Sequence, residues 1–130
     1  MFEIALLSDV KVPSNYIIAP SDAVNKERAN LVLTGNPEDD RQAIQNAITM
    51  LHTMRASTDV AIRIDFLGGT IDVGTKTDGN AIVIPLGYDN IHLYGNGVKI
   101  TGYVYDSDGV ETYSVFTNNA DNVIIDGFNI

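Results

Sequence analysis

The chain has 130 residues, of which 45% are hydrophobic and 19% charged, a balance typical of one folded domain rather than a disordered segment. Eight basic residues stand against 17 acidic ones, and a net charge of −9 disfavours partners with phosphate backbones, so we expect no nucleic acid as a partner. The absence of cysteine excludes a disulfide framework, a thiolate nucleophile and a cysteine-ligated metal.

The first 35 residues contain only short predicted elements. A strand is predicted at 16–19, and Ser21 or Asp22 can cap a short helix at 23–29, which a strand at 31–34 follows. No signal peptide is predicted, because an acid stands near the start where such a peptide has a base. No run approaches the roughly 18 apolar residues of a membrane helix, so we expect no membrane insertion.

The clearest predicted helix spans residues 36–55. Asn36 can act as its N-cap, Pro37 suits the first helical position, and Asp39 resembles the acidic member of a capping box. Apolar side chains then recur at helical spacing, at Ile44, Ala47, Ile48, Leu51 and Met54. The pattern predicts an amphipathic helix with one face to bury.

From residue 60 onward the pattern is typical of short β-strands. The predicted strands are 60–66, 69–73, 81–86, 90–94, 98–101, 113–117 and 122–126. In the first of them, Ile62 and Ile64 alternate with Arg63 and Asp65, as expected for a strand with one buried side. Gly, Asn and Asp separate the runs, so we expect a turn every few residues and a projecting loop at 103–112.

An internal repeat relates two of these strands. Segments 89–95 and 121–127 both read Asp-Asn, then apolar residues at alternate positions, then Gly, with an offset of 32 residues. Repeats of this period are typical of solenoids, in which Asn can bond its own backbone at a corner and Gly permits the next bend. In this register Asp126 stacks over Tyr94. An all-β sandwich is the alternative.

Four short motifs follow one another along most of the chain. They are YIIAPSDA at 16–23, DDRQAIQNAI at 39–48, GGTI at 68–71 and IHLYGNG at 91–97. In this order they resemble the opening of pectate-lyase-like right-handed parallel β-helix proteins, a group that includes phage tail and tailspike proteins and bacterial surface polysaccharide enzymes. Ile71 stands where that family usually has Tyr or Phe. The resemblance covers residues 16–130.

The resemblance implies a mainly β fold, a right-handed parallel β-helix or solenoid with an N-terminal amphipathic capping helix. It divides the chain into an N-terminal strand, turn and short-helix segment at 1–35, the capping helix at 36–55, and the first coils of the β-helix at 56–130. Because the coil pattern still continues at the last residue, we expect the chain to be the N-terminal piece of a longer protein.

The resemblance also implies a role. We expect a capping and scaffold segment of a carbohydrate-recognising or carbohydrate-active protein, on a phage tail or surface appendage, without a complete active site. The alternative is the leading segment of a polysaccharide lyase or glycoside hydrolase whose catalytic residues lie beyond residue 130. The expected partner is a polysaccharide or cell-surface glycan, the expected location is the virion or the cell exterior, and the parent protein is expected to form a homotrimer.

Tyrosines are the candidate carbohydrate-binding residues, because each offers an aromatic face and a hydroxyl to a sugar ring. The candidates are Tyr94, Tyr103, Tyr105 and Tyr113, four of the six tyrosines in the chain. The alternative is a purely structural role, since tyrosine is common in strands.

No catalytic residue, cofactor or metal site is predicted. No motif ties His52 or His92 to a nucleophile, although a partly protonated His52 would suit the C-terminal end of the helix dipole. Three acids on or beside strands are expected to face outward, namely Asp65, Asp72 and Asp126. The acids Asp106, Asp108 and Glu111 could supply oxygen ligands for calcium, but an ordinary turn is favoured because turns are rich in Asp, Ser and Gly.

Overall fold

A computed structural model describes residues 15–77, 82–105, 111–112 and 115–130. The elements before and within the helical region are β1 (Tyr16–Ala19), a 3-10 turn (Lys26–Arg28), β2 (Leu31–Val32) and the helix α1 (Pro37–Met54). The remaining strands are β3 (Ile62–Phe66), β4 (Thr70–Thr77), β5 (Ile82–Ile84), β6 (Ile91–Tyr94), β7 (Lys99–Tyr105), β8 (Glu111–Thr112), β9 (Phe116–Asn118) and β10 (Ile124–Asp126).

Three sheets are built from these strands. The five-stranded sheet has the order β10-β6-β3-β1-β2, and all its neighbouring strands are parallel. The three-stranded sheet has the order β4-β7-β8, with β4 and β7 parallel and β8 antiparallel to β7. The two-stranded sheet pairs β5 with β9 in parallel. Parallel pairing of strands distant in sequence requires crossover connections, and those from β3 to β6 and from β6 to β10 run through the other two sheets.

The core lies between the inward faces of the sheets and one face of α1. It consists largely of β-branched and aliphatic side chains with essentially no exposure, among them Ile64, Ile84, Leu93 and Ile100. α1 contributes Ile44, Ala47, Ile48 and Leu51 and packs on β4 and β5. The apolar stripe of the helix is thus buried as its spacing predicts, with one exception, Met54, which is 42% exposed.

The start of α1 follows the sequence closely. The Asn36 side chain accepts a hydrogen bond from the backbone N–H of Asp39 at 3.1 Å, and Pro37 occupies the first turn. The buried Asp40 carboxylate accepts bonds from the N–H of Thr34 (2.8 Å) and of Gly35 (2.9 Å). The approach to the helix is therefore fixed by side chains of its own first turn.

The predicted fold class, a mainly β right-handed parallel β-helix with an N-terminal capping helix, is wrong. A solenoid adds one strand to every sheet at each coil, whereas the described residues form sheets of five, three and two strands with one helix, and no solenoid is found in them. The chain returns from β1 to β2 through a 3-10 turn, so this pair adds no strand to the other two sheets. The antiparallel β8 breaks the parallel order of the three-stranded sheet.

Two local predictions also differ from the structure. The short helix predicted at 23–29 is reduced to the 3-10 turn Lys26–Arg28. The projecting loop predicted at 103–112 begins as strand, because β7 continues to Tyr105 and β8 folds back against it. Asp106 and Asp108 lie outside the described residues.

Candidate functional site

The candidate site is the solvent side of the five-stranded sheet. On β3 and β6 the inward residues are buried, which directs the alternate side chains Arg63, Asp65, His92 and Tyr94 outward. β10 adds Ile124 and Asp126 on the same side, since its register aligns them with β6. We call these six side chains the Tyr94 face.

The strand register arranges the Tyr94 face in two rows. Asp65 pairs with Tyr94, and Tyr94 with Asp126, so the tyrosine lies between two carboxylates. Arg63 pairs with His92, and His92 with Ile124, in the second row. The sequence prediction that Asp126 stacks over Tyr94 is confirmed.

Arg63 connects Asp65 and Tyr94 on the Tyr94 face. Its Nε and Nη2 donate to the two carboxylate oxygens of Asp65 at 2.9 and 3.3 Å, a two-point contact that fixes the guanidinium plane. The guanidinium carbon lies 4.4 Å from the centroid of the Tyr94 ring, within the range of a cation–π contact. One face of the Tyr94 ring is thereby covered by the guanidinium.

Asp65 is buried although it lies on the outward side, because polar neighbours cover its carboxylate. Burial alone would raise its pKa, but hydrogen bonds from Arg63, Asn96 and Asn15 together with the charge of Arg63 outweigh it, and the pKa is lowered. Asp65 is therefore ionised at neutral pH and acts as a fixed acceptor.

Asn96 connects the turn after β6 to this carboxylate. It adopts a left-handed backbone conformation (φ 53°), and its amide donates to Asp65 Oδ1 at 3.3 Å and to the carbonyl of Phe66 at 3.2 Å. Asparagine tolerates this conformation better than most residues. The turn thus supports β3 and Asp65 from the adjacent strand.

The two carboxylates of the Tyr94 face have different surroundings. Asp65 is held in its ionised form by Arg63 and Asn96, whereas Asp126 is exposed. Asp65 and Asp126 stand two strand spacings apart, with Tyr94 between them. In the described part of the chain, no three acidic or histidine side chains lie close enough together to hold a metal ion.

The four candidate tyrosines do not share one surface. Tyr94 lies on the five-stranded sheet, whereas Tyr103 and Tyr105 are strand residues of β7 in the three-stranded sheet, where they pair with Thr75 and Thr77. The side chains of Tyr103 and Tyr105, and the whole of Tyr113, lie outside the described residues. The structure therefore places Tyr94 in a different sheet from Tyr103 and Tyr105.

Arg63, Asp65 and Asn96 were missed as site residues. The signal for the first two was present, since an arginine and an aspartate at alternate positions of one strand lie on the same side and can pair. Nothing in the sequence indicated Asn96, because its contact with Asp65 depends on the register between β3 and β6.

A second polar cluster lies at the end of α1. The His52 ring stacks on Tyr88 with centroids 3.7 Å apart, and its Nδ1 lies 2.9 Å from Nη2 of the buried Arg55. Arginine only donates, so Nδ1 is the acceptor and carries no proton. Burial and the neighbouring charge of Arg55 lower the His52 pKa, although Asp89 opposes them. The sequence suggested a partly protonated His52 at the C-terminal end of the helix dipole, whereas the structure favours the neutral ring.

Comparison with known proteins adds no relative. No model of a protein family matches this chain, and neither a characterised protein nor a solved structure matches it. Within the part of the chain that the structure describes, no helix combines the length and apolar character needed to cross a membrane. The likeness to pectate-lyase-like proteins stays a resemblance of motifs.

Proposed function

We propose that this chain recognises carbohydrate through the Tyr94 face, as a binding surface rather than a catalytic one. The observation that carries the proposal is the arrangement around Tyr94. Its ring is held by the Arg63 guanidinium at 4.4 Å, and carboxylates flank it in the same row on both neighbouring strands. Carbohydrate binding needs an apolar ring face beside hydrogen-bond acceptors, and this row supplies both.

The surface is also set before any ligand arrives. Arg63 is fixed by two bonds to Asp65, and Asp65 by a further bond from Asn96, all on strands or on the turn that follows them. Groups that are already ordered lose little conformational entropy on binding, which favours affinity for a flexible, hydroxyl-rich chain. We extend the proposal to a phage tail or cell-surface appendage on the strength of the motif resemblance alone.

The experiment is a binding screen of the full chain against a panel of soluble polysaccharides by affinity electrophoresis. We expect retardation by at least one of them, loss of that retardation in Tyr94→Ala, and partial retention in Tyr94→Phe, which keeps the ring. Tyr88→Ala removes a tyrosine at the His52 cluster and is expected to keep binding. A folded protein that binds none of the panel, or a Tyr94→Ala variant that binds as well as the native chain, would contradict the proposal.

The oligomeric state, for which a homotrimer is predicted in the parent protein, is measured on the same sample. Light scattering after size exclusion gives the molar mass directly, and this prediction is independent of the binding result.

A further inference from the structure

We propose that the Tyr94 face selects uncharged glycans over acidic ones, that is, chains of neutral hexoses or pentoses over chains that carry carboxylates. This inference rests on the proposed carbohydrate recognition and names the class of sugar. It follows from the balance of charges on the face.

The arginine of this face is already paired. Both carboxylate oxygens of Asp65 accept from Arg63, at 2.9 and 3.3 Å, and the guanidinium also lies over the Tyr94 ring. An incoming carboxylate would have to compete with Asp65 for the same cation. A neutral hydroxyl needs no charge of its own and can accept from the guanidinium N–H groups that Asp65 leaves free.

The second carboxylate of the face, that of Asp126, is not paired with a basic side chain among the described residues. Asp126 is exposed on the opposite side of Tyr94, and among the described residues it forms no ion pair. Arg63 offsets the charge of Asp65, and the charge of Asp126 remains without an ion-pair partner among the described residues. An exposed carboxylate can accept bonds from sugar hydroxyls, which donate, but it repels a sugar carboxylate, which does not.

The surroundings add to this preference. Asp89 and Asp121 lie at the turns that lead into β6 and β10, and they are joined by a bond from the Asp121 N–H to the Asp89 carboxylate at 2.9 Å. The whole chain has a net charge of −9. At low ionic strength the field of these groups extends over about 10 Å or more and disfavours the approach of a polyanion.

The test compares matched polysaccharides at pH 8. Dextran, mannan, galactomannan and xyloglucan are each used unmodified, carboxymethylated and hydroxyethylated, and the hydroxyethyl form controls for the size of the substituent. For any polymer that binds, we expect the carboxymethylated form to bind roughly fivefold weaker than the hydroxyethylated form at low salt, as for like charges in contact distance in water. This difference in affinity between the carboxymethylated and hydroxyethylated forms, which we call the affinity gap, should narrow in 0.5 M NaCl, where the Debye length is only a few ångströms.

Two charge variants locate the effect. Asp126→Asn removes the unpaired carboxylate and should narrow the affinity gap. Asp72→Asn removes an exposed acid on β4, in another sheet, and should leave the affinity gap unchanged. Equal or tighter binding of the carboxymethylated forms would overturn the inference while leaving carbohydrate recognition intact. An unchanged affinity gap in Asp126→Asn would overturn it as well. If the folded chain binds no member of the panel, the proposed function itself fails and the inference fails with it.

Discussion

At the scale of single residues, the turns of the repeat show which details depend on the neighbouring strand. Asn90 and Asn122 occupy equivalent places in the repeat, and both adopt left-handed conformations, with φ of 60° and 56°. The sequence predicted asparagine at these corners. It did not predict the partner, because the Asn90 amide donates at 2.6 Å to the carbonyl of Thr58, 32 residues earlier, rather than to its own backbone. Parallel stacking brings that carbonyl within reach.

Gly95 provides the first prediction. Its backbone has no left-handed strain, but a Cβ placed there would lie 2.7 Å from the carbonyl oxygen of Gly127 and 2.8 Å from the Phe128 ring. We expect Gly95→Ala to lower the free energy of unfolding by about 1–3 kcal/mol, the usual cost of overpacking. Gly68→Ala is the matched control, because a Cβ there meets nothing within 4 Å. Equal stability of the two variants in urea denaturation would contradict the close approach.

His52 provides the second prediction, on pH. Its pKa is lowered in the folded chain, so the unfolded chain binds the proton more tightly. The stabilisation by neutral His52 is therefore complete above the ordinary histidine value of about 6.5 and is lost as pH falls below it toward the lowered value. We expect the free energy of unfolding to fall between pH 7.5 and 5.5, with a smaller fall in His52→Gln. Equal slopes in the two proteins would show that His52 does not contribute.

At the scale of elements, α1 was predictable because its signals are local. The cap, the proline and the apolar stripe all lie within one stretch of chain, and the observed helix Pro37–Met54 agrees with the predicted 36–55. β4 was predicted too short, at 69–73. It has one more residue than its partner between Asp72 and Thr75, a bulge beside Gly74 (φ 75°) that interrupts the regular pairing. A strict period of two therefore stops at the bulge although the strand continues.

The buried face of α1 gives the third prediction. Ile48 is completely buried against the core, so Ile48→Ala leaves a cavity and is expected to cost about 2–5 kcal/mol of unfolding free energy. Met54→Ala is the control on the same helix, since Met54 is 42% exposed, and its cost is expected to stay within about 1 kcal/mol. A comparable loss in both variants, measured by urea denaturation, would mean that the helix is not held by this face.

At the scale of the whole molecule, the repeat predicted one contact correctly and the fold class wrongly. Segments 89–95 and 121–127 do pair in parallel, as the alignment of Asp126 with Tyr94 shows. A pattern that occurs twice nevertheless predicts the pairing of only the two strands in which it occurs, β6 and β10. The remaining strands distribute unequally over three sheets, and neither the return from β1 to β2 nor the antiparallel β8 has a periodic signal. In the candidate site, the sequence predicts that Tyr94 faces outward, whereas the contact of Asn96 with Asp65 depends on the register between β3 and β6.

The charge of the whole chain gives the last prediction. A net charge of −9 on 130 residues means that the folded state brings like charges together, and the described residues offset this with few ion pairs, Arg41 with Glu38 and Arg63 with Asp65. Salt screens this repulsion more in the compact state than in the expanded one. We expect the melting temperature to rise by roughly 2–6 °C between 0.01 and 0.3 M NaCl, corresponding to about 1 kcal/mol for a domain of this size.

Potassium chloride serves as the control for that measurement, because screening depends on ionic strength and not on the identity of the monovalent cation. Equal shifts in the two salts identify screening as the cause. A melting temperature that falls on adding either salt would mean that attractive pairs outweigh the net repulsion, and the two ion pairs would then be the first to test. Because Arg63–Asp65 also holds Tyr94, such a result would make glycan binding weaken with salt for neutral as well as acidic chains.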